Sequence, residues 1–289
     1  MFALHTYSIS SKAAQELNYL GLHVTQKGDF GVLIDQVAYI QSIEPLEISI
    51  GRRALKSDFC TTAESSQFRR LVGKLNWVST QTRPDISFDV CMLSSVMKKP
   101  QVSDLILANK VLLKAKDTPL SISFPALDVQ EYQLVCYSDA SLANLPSGKS
   151  AGGFIVFLES SNRCCPVFWR SNSIRRVVRS TLAAETGAMV DALDTAYYIS
   201  TVLQEMGLMV PIIAFTDNAS LHKSAHSLTS VEEHRLQVEI AMIREMLGRG
   251  EISSISWIAN SKQLADCLTK RGASSFNLTR VLEMGSFYD

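Results

Sequence analysis

The sequence predicts an α/β protein: a mixed sheet with helices packed on it, preceded by a segment dominated by helices. Three observations carry this. From Ser65 to Met97 apolar residues recur at helical spacing, as in Phe68, Leu71, Val72, Leu75 and Val78. After Val129, short runs of strand type alternate with longer helical patterns. Between the two patterns stand Pro119 and Pro125, which place the division of the chain at 1–125 and 126–289.

Taken in order, residues 1 to about 55 mix short apolar patches with turn signals. Asn18 to Val24, the turn Lys27-Gly28-Asp29-Phe30-Gly31 and Val32-Leu33-Ile34 read as a strand or hairpin, followed by a short helix around Gln36 to Ile43. Arg83-Pro84-Asp85 breaks the helix that contains Leu71 and Val78 before a second apolar segment, Ile86 to Val96, and Leu105 to Lys116 is a third helix. Tyr132 to Asp139, Gly153 to Leu158 and Pro166 to Arg170 then read as consecutive strands, the first turn containing Pro146-Ser147-Gly148. A long helix starts near Ser180-Thr181, either of which suits its N-cap, and stops at Gly207. Ile212 to Thr216 is a strand, Leu236 to Leu247 a helix and Ile252 to Ile258 a last strand, with a final helix beginning near Asp266. The order is β-β-β-α-β-α-β-α.

Charge narrows the function classes. Lys plus Arg (28) equals Asp plus Glu (28), so no global basic field draws this chain to polyanions, and any such contact must be local. The six cysteines show no metal-type spacing, which favours reduced and mostly buried thiols. The N-terminus lacks a basic flank with a sustained apolar run, and no stretch approaches the length of a membrane span. A soluble intracellular protein without a membrane partner is expected.

Four acids stand in suggestive places: Asp139 in YSDAS, Glu185 early in the long helix, Asp217 after the fourth strand and Asp266 in LADCLTK. Singly, each fits a turn or a helix cap. Together, strand ends and adjoining helix starts of a mixed sheet can converge on one point, and converged carboxylates need a counter-charge. Hard divalent cations meet that need, Mg²⁺ above all with Mn²⁺ as a substitute, and two such ions clamp the attacking and leaving oxygens of a phosphoryl displacement. Phosphodiester hydrolysis is the chemistry that follows.

YSDAS, Ser180-Thr181-Leu182-Ala183-Ala184-Glu185, FTDN and ADCLTK, in this order, resemble the ribonuclease H domain of copia-type retrotransposon pol polyproteins. Upstream, Tyr19-Leu20-Gly21-Leu22, Leu71-Val72-Gly73-Lys74-Leu75-Asn76-Trp77 and Thr82-Arg83-Pro84-Asp85-Ile86-Ser87 are similar to the distal reverse transcriptase of the same polyproteins. The resemblance implies a ribonuclease H-like mixed five-stranded sheet in 126–289 and an α+β or helical reverse-transcriptase remnant in 1–125. It implies that the chain is the C-terminal piece of a truncated pol polyprotein, cytoplasmic in virus-like particles or nuclear, that hydrolyses the RNA strand of RNA–DNA hybrids with two Mg²⁺ ions. Asp139, Glu185, Asp217 and Asp266 are then the catalytic and metal-ligand set, Asp139 bridging both ions, Glu185 and Asp217 placing the ion near the leaving 3′ oxygen, and Asp266 the ion that activates water.

Two departures matter. The chain has no Asp-Asp pair for a polymerase turn, and no His between Ile258 and Ala265, where cellular ribonucleases H carry one. Polymerase activity is not expected, and a catalytically inactive remnant that only binds nucleic acid, or supports a polymerase partner, stands as the alternative. For substrate contact, Arg170, Arg175, Arg176 and Arg179 form a local basic excess just before the catalytic helix, which a solvated loop face would also explain. Ser138, Ser141, Asn144 and Asn218 are candidates for phosphate or 2′-hydroxyl contacts, with turn and cap chemistry as the other reading. Trp169 and Trp257 are expected in the core, and the His222 and His226 pair on the surface.

Overall fold

The computed structural model describes residues 15–128, 131–227 and 234–287; Val129 lies outside them. The first unit is a four-stranded antiparallel sheet, in the order β1 (Gln15–Tyr19), β2 (Leu22–Gln26), β3 (Val32–Asp35) and β4 (Ser121–Phe124). Tyr19 pairs with Leu22, so Leu20 and Gly21 alone make the turn, with φ of 50° and 83°. Positive φ at both positions is the hairpin turn whose twist matches that of the strands.

Between β3 and β4 lie five helices: α1 (Val37–Gln41), α2 (Ile50–Ala54), α3 (Thr62–Gln81), α4 (Ser87–Ser95) and α5 (Val102–Asp117). A capping box starts α3, the Thr61 hydroxyl accepting from the Glu64 N–H while the Glu64 carboxylate accepts from the Thr61 N–H. Phe68, Leu71, Val72, Leu75 and Val78 form its buried stripe, as their spacing predicts, and meet Leu105, Ala108, Val111 and Leu112 of α5 in one core. The strand β4 is a correction. The sequence left Ser121–Phe124 as a proline-flanked connection, yet it pairs with β3 in the register Val32 with Phe124 and Asp35 with Ser121.

The break between α3 and α4 is a buried ionic lock. Arg83 is 1% exposed, and its guanidinium donates to both Asp85 carboxylate oxygens at 2.8 Å, to Ala115 O at 2.7 Å and to Thr118 Oγ1 at 3.2 Å. Arg83-Pro84-Asp85 therefore does more than end a helix: it fastens the α3–α4 corner to the end of α5.

The second unit is built on a mixed five-stranded sheet. Its strands are β5 (Gln133–Leu145), β6 (Lys149–Ser160), β7 (Arg163–Ser173), β8 (Ile212–Thr216) and β9 (Ser254–Trp257), in the spatial order β7-β6-β5-β8-β9. The β5–β6 and β6–β7 pairs are antiparallel, whereas β5–β8 and β8–β9 are parallel. Parallel neighbours need helical crossovers, supplied by α6 (Thr181–Glu205), then α7 (Ala219–His226) and α8 (His234–Gly248). The connection from β8 to β9 thus carries two helices, where the residue pattern predicts the single helix Leu236 to Leu247. The last helix is α9 (Phe276–Met284), so Asp266 does not start it; Asp266–Leu268 is a short 3₁₀ turn.

One face of the sheet packs on α6 and α8 through Leu134, Phe154, Met189, Leu193 and Ile240. The other face packs on α9 and on the first unit's own β4, through Ile155, Phe157, Leu278, Leu282 and Ile122. Trp169 of β7 also donates its indole N–H to Ser79 O of α3 at 2.8 Å, which makes it a half-buried link between the units rather than the core residue expected. Trp257 departs further. It is 52% exposed because β9 is an edge strand with one open side, and its N–H donates to Asp217 O at 3.0 Å.

Candidate active site

Three elements bring the acids together. Asp139 lies in the middle of β5, not at its end, but one position past Ser138 and just beyond the parallel pairing that runs from Leu134 with Ile212 to Tyr137 with Phe215. Asp217 follows the last residue of β8, where the parallel neighbours point the same way. Glu185 sits in the first turns of α6, whose start is fixed by the Ser180 hydroxyl accepting from the Ala183 N–H at 3.1 Å. Among the described residues, one ligand oxygen from each of Asp139, Glu185 and Asp217 lies within 4.8 Å of the others.

Their surroundings are hostile to negative charge. Asp139 and Glu185 are 1% and 5% exposed, and Asp217 is half-buried at the rim. Burial, with Asp217 and Asp266 nearby, pushes the Asp139 carboxyl up to about 7, although Lys270 and the Thr269 hydroxyl pull the other way. Burial together with Asp139 and Asp217 pushes Glu185 up to about 9. Glu185 Oε2 is buried without a hydrogen-bond partner. A buried, unpartnered oxygen beside two further hard oxygen donors fits a divalent cation, which would satisfy that oxygen and offset the mutual repulsion.

Asp266 falls outside the group of three. Its Oδ1 lies 2.5 Å from Lys270 Nζ, four residues along the same turn, and this ammonium also stands 3.4 Å from Asp139 Oδ2. Burial opposes the Lys270 charge, but Asp139 and Asp266 outweigh it and raise the lysine above its ordinary value. Convergence of all four carboxylates, the sequence expectation, is thus met directly by three, with the fourth joined to Asp139 through a lysine. Sequence reasoning missed Lys270 and Thr269, although both belong to ADCLTK, and the Asp266-to-Lys270 spacing is a signal for such a pair.

The turn that carries these groups is seated by shape. Gly153 faces Asp139 across the β5–β6 pair, and a Cβ there would lie 2.7 Å from Leu268 Cβ and 2.9 Å from Thr269 Cγ2. Only a residue without a side chain admits the turn so close to the sheet, and Thr269 can then donate its hydroxyl to Asp139. Gly153→Ala is expected to cost about 1–3 kcal/mol of stability by overpacking, read from urea unfolding, and to move Thr269 away from Asp139.

The substrate-contact candidates divide. Ser138 is a correction: it is 1% exposed, its hydroxyl faces Met189 Sδ in the core, and nothing outside can reach it. Asn218 caps α7 by accepting from the Leu221 N–H at 2.9 Å, and Asn144 donates to Thr269 O at 2.6 Å, so both side chains have structural work. Ser141 is half-buried. Arg170, Arg175, Arg176 and Arg179 are exposed, with Arg170, Arg175 and Arg176 lining a cleft of about 420 Å³ alongside Gly187 and Asp191 of α6. Arg176 is already paired with Glu239 of α8. The rings of His222 and His226 lie 4.6 Å apart on α7, tilted by 42°, and neither residue belongs to the carboxylate group.

No protein-family model matches the chain. It is 26% identical over 298 aligned residues to the retrovirus-related Pol polyprotein from transposon RE1 of Arabidopsis thaliana, covering 94% of this chain and 20% of the relative. With the corresponding polyprotein from transposon TNT 1-94 of Nicotiana tabacum it shares 25% identity over 203 residues, 69% of this chain and 15% of the relative. The chain therefore spans a fifth or less of the length of these relatives. Among solved structures, ribonuclease H1 of Halobacterium salinarum aligns over 47% of this chain and 94% of its own, at 21% identity and a TM-score of 0.37. The foamy viral protease-reverse transcriptase in complex with double-stranded DNA aligns over 85% of this chain and 45% of its own, at 13% identity and a TM-score of 0.45. Along nearly all its length the chain is similar to part of the Pol polyproteins of copia-type retrotransposons, and its second unit has the ribonuclease H-like fold.

Proposed function

We propose that the chain is a divalent-metal-dependent endoribonuclease that hydrolyses the RNA strand of RNA–DNA hybrids within a retrotransposon Pol polyprotein. The observation that carries this reading is the meeting of Asp139, Glu185 and Asp217 around a buried Glu185 oxygen that no protein group satisfies. The choice of a hybrid as substrate rests on the sequence resemblance, and Mg²⁺ on the hardness of the oxygen donors. Bound divalent cations supply Lewis-acid stabilisation of the phosphoryl charge and a water acidic enough to attack. The protein's own part is to hold the donors. Thr269 and the β5–β6 ladder fix Asp139, the capped start of α6 fixes Glu185, and the end of β8 fixes Asp217. The exposed arginines before α6 are proposed to meet the backbone phosphates of the substrate.

The test is cleavage of an end-labelled RNA–DNA hybrid by the purified chain with Mg²⁺, beside single-stranded RNA and double-stranded DNA. The reading predicts short RNA products with 5′-phosphate and 3′-hydroxyl ends from the hybrid alone, lost with chelator or in Glu185→Gln. Cleavage that survives chelator or Glu185→Gln contradicts it. Hybrid binding without any cleavage would instead favour the inactive remnant, in which the Lys270 ion pair keeps Asp266 from the other acids.

A further inference from the structure

Lys270 is a cation set among the carboxylates to which the proposed reaction assigns no part. Its ammonium lies 2.5 Å from Asp266 Oδ1 and 3.5 and 3.4 Å from the two Asp139 oxygens. Asp139 belongs to the group of three carboxylates, whereas Asp266 does not, so the lysine stands between the acids that a second divalent ion would have to share. The chain holds it there. The backbone N–H of Lys270 donates to Asp266 O at 3.2 Å, so lysine and aspartate ride on a single turn, and that turn is wedged over Gly153. A counter-ion tethered in this way is not diluted by solvent or exchanged with salt. Its side chain is nevertheless 39% exposed and ends a flexible stem, so it can withdraw.

We propose that Lys270 is a built-in counter-ion occupying the second cation position: the protein takes one divalent ion at Asp139, Glu185 and Asp217, and a second only by displacing the lysine from between Asp139 and Asp266. This rests on the reading of the three acids as a metal centre. The physical reason is direct. A divalent ion entering beside an ammonium a few ångströms away meets like-charge repulsion in a partly buried setting, and it must also break the lysine's two ion pairs.

The experiment counts Mn²⁺ bound to the full chain without nucleic acid, by the electron paramagnetic resonance signal of free Mn²⁺ during titration. Wild type is expected to bind one ion well and a second at least about tenfold more weakly. Lys270→Met should tighten the second ion by about tenfold or more, and Lys270→Arg, which keeps the charge, should leave the wild-type pattern. Lys270→Met also removes the counter-charge of two acids, so its melting temperature in metal-free buffer should fall and recover with Mn²⁺; Lys270→Gln serves if the methionine variant does not fold. Equal affinity for two ions in wild type, or an unchanged second ion in Lys270→Met, overturns the role of Lys270. Glu185→Gln separates the two claims. If it leaves the first ion untouched, the metal-centre reading fails, whereas loss of the first ion with no Lys270 effect defeats only the counter-ion.

Discussion

Asp139→Asn is expected to lower hybrid cleavage at saturating Mg²⁺ by on the order of 10³-fold or more, equivalent to ~4 kcal/mol of transition-state stabilisation. Asp139 is the acid to which everything else in the cluster is joined. It shares the group of three with Glu185 and Asp217, accepts from Thr269 and faces Lys270, which in turn holds Asp266. Asparagine keeps the shape but presents one neutral oxygen where the carboxylate presents two charged ones, so both cation binding and their placement suffer. The fold should not suffer in parallel. Burial already pushes the Asp139 carboxyl up to about 7, which means the folded state does not favour its ionised form. Removing that charge should leave metal-free thermal unfolding within a few degrees of wild type. Loss of cleavage accompanied by a large loss of stability would assign Asp139 a structural role instead.

Arg83→Met should have the largest effect on stability, about 3–5 kcal/mol in urea unfolding. The side chains of Arg83 and Asp85 are 1% and 3% exposed, and the guanidinium supplies the contacts with Ala115 and Thr118 as well. Methionine would strand the Asp85 carboxylate in the interior and leave the Ala115 carbonyl without its donor. Because single domains carry roughly 5–15 kcal/mol in total, such a loss threatens folding itself. The double variant Arg83→Met with Asp85→Leu removes both charges and should recover part of the loss, since a missing pair costs less than a broken one. A single variant as stable as wild type would show that the lock contributes nothing to stability.

Much of this arrangement was legible in the residues themselves. The stripe of α3, the N-cap Ser180, the turn at Pro146 to Gly148 and the succession of strand-type runs and helical patterns after it are local signals, and the structure follows them. What escaped was decided by distant partners. Nothing in Ser121–Phe124 announces a strand except Val32 to Asp35, which lie far back in the chain and complete its pairing. Trp257 reads as core because it is a large aromatic residue in a strand-type run, yet β9 is the outermost strand. Ser138 and Asp139 are neighbours on β5 with opposite fates, because alternate side chains of a strand face opposite sides. Asp217 after β8 and Glu185 in the first turns of α6 stand on the elements that their local patterns indicate, whereas Asp139, expected at a strand end, lies in the middle of a longer β5. Asp266 was expected on a helix, and the buried Cys267 and Leu268 beside it pull the chain into a 3₁₀ turn that hands the aspartate to Lys270.

The central claim is that Asp139, Glu185 and Asp217 together hold a divalent cation. Anomalous diffraction from crystals of the chain soaked in Mn²⁺ tests it most directly. The claim predicts a strong peak within coordinating distance of a carboxylate oxygen from each of the three, with Glu185 Oε2 among the ligands. A Mn²⁺-soaked crystal with no peak at these acids, and Glu185 Oε2 still without a partner, would contradict it.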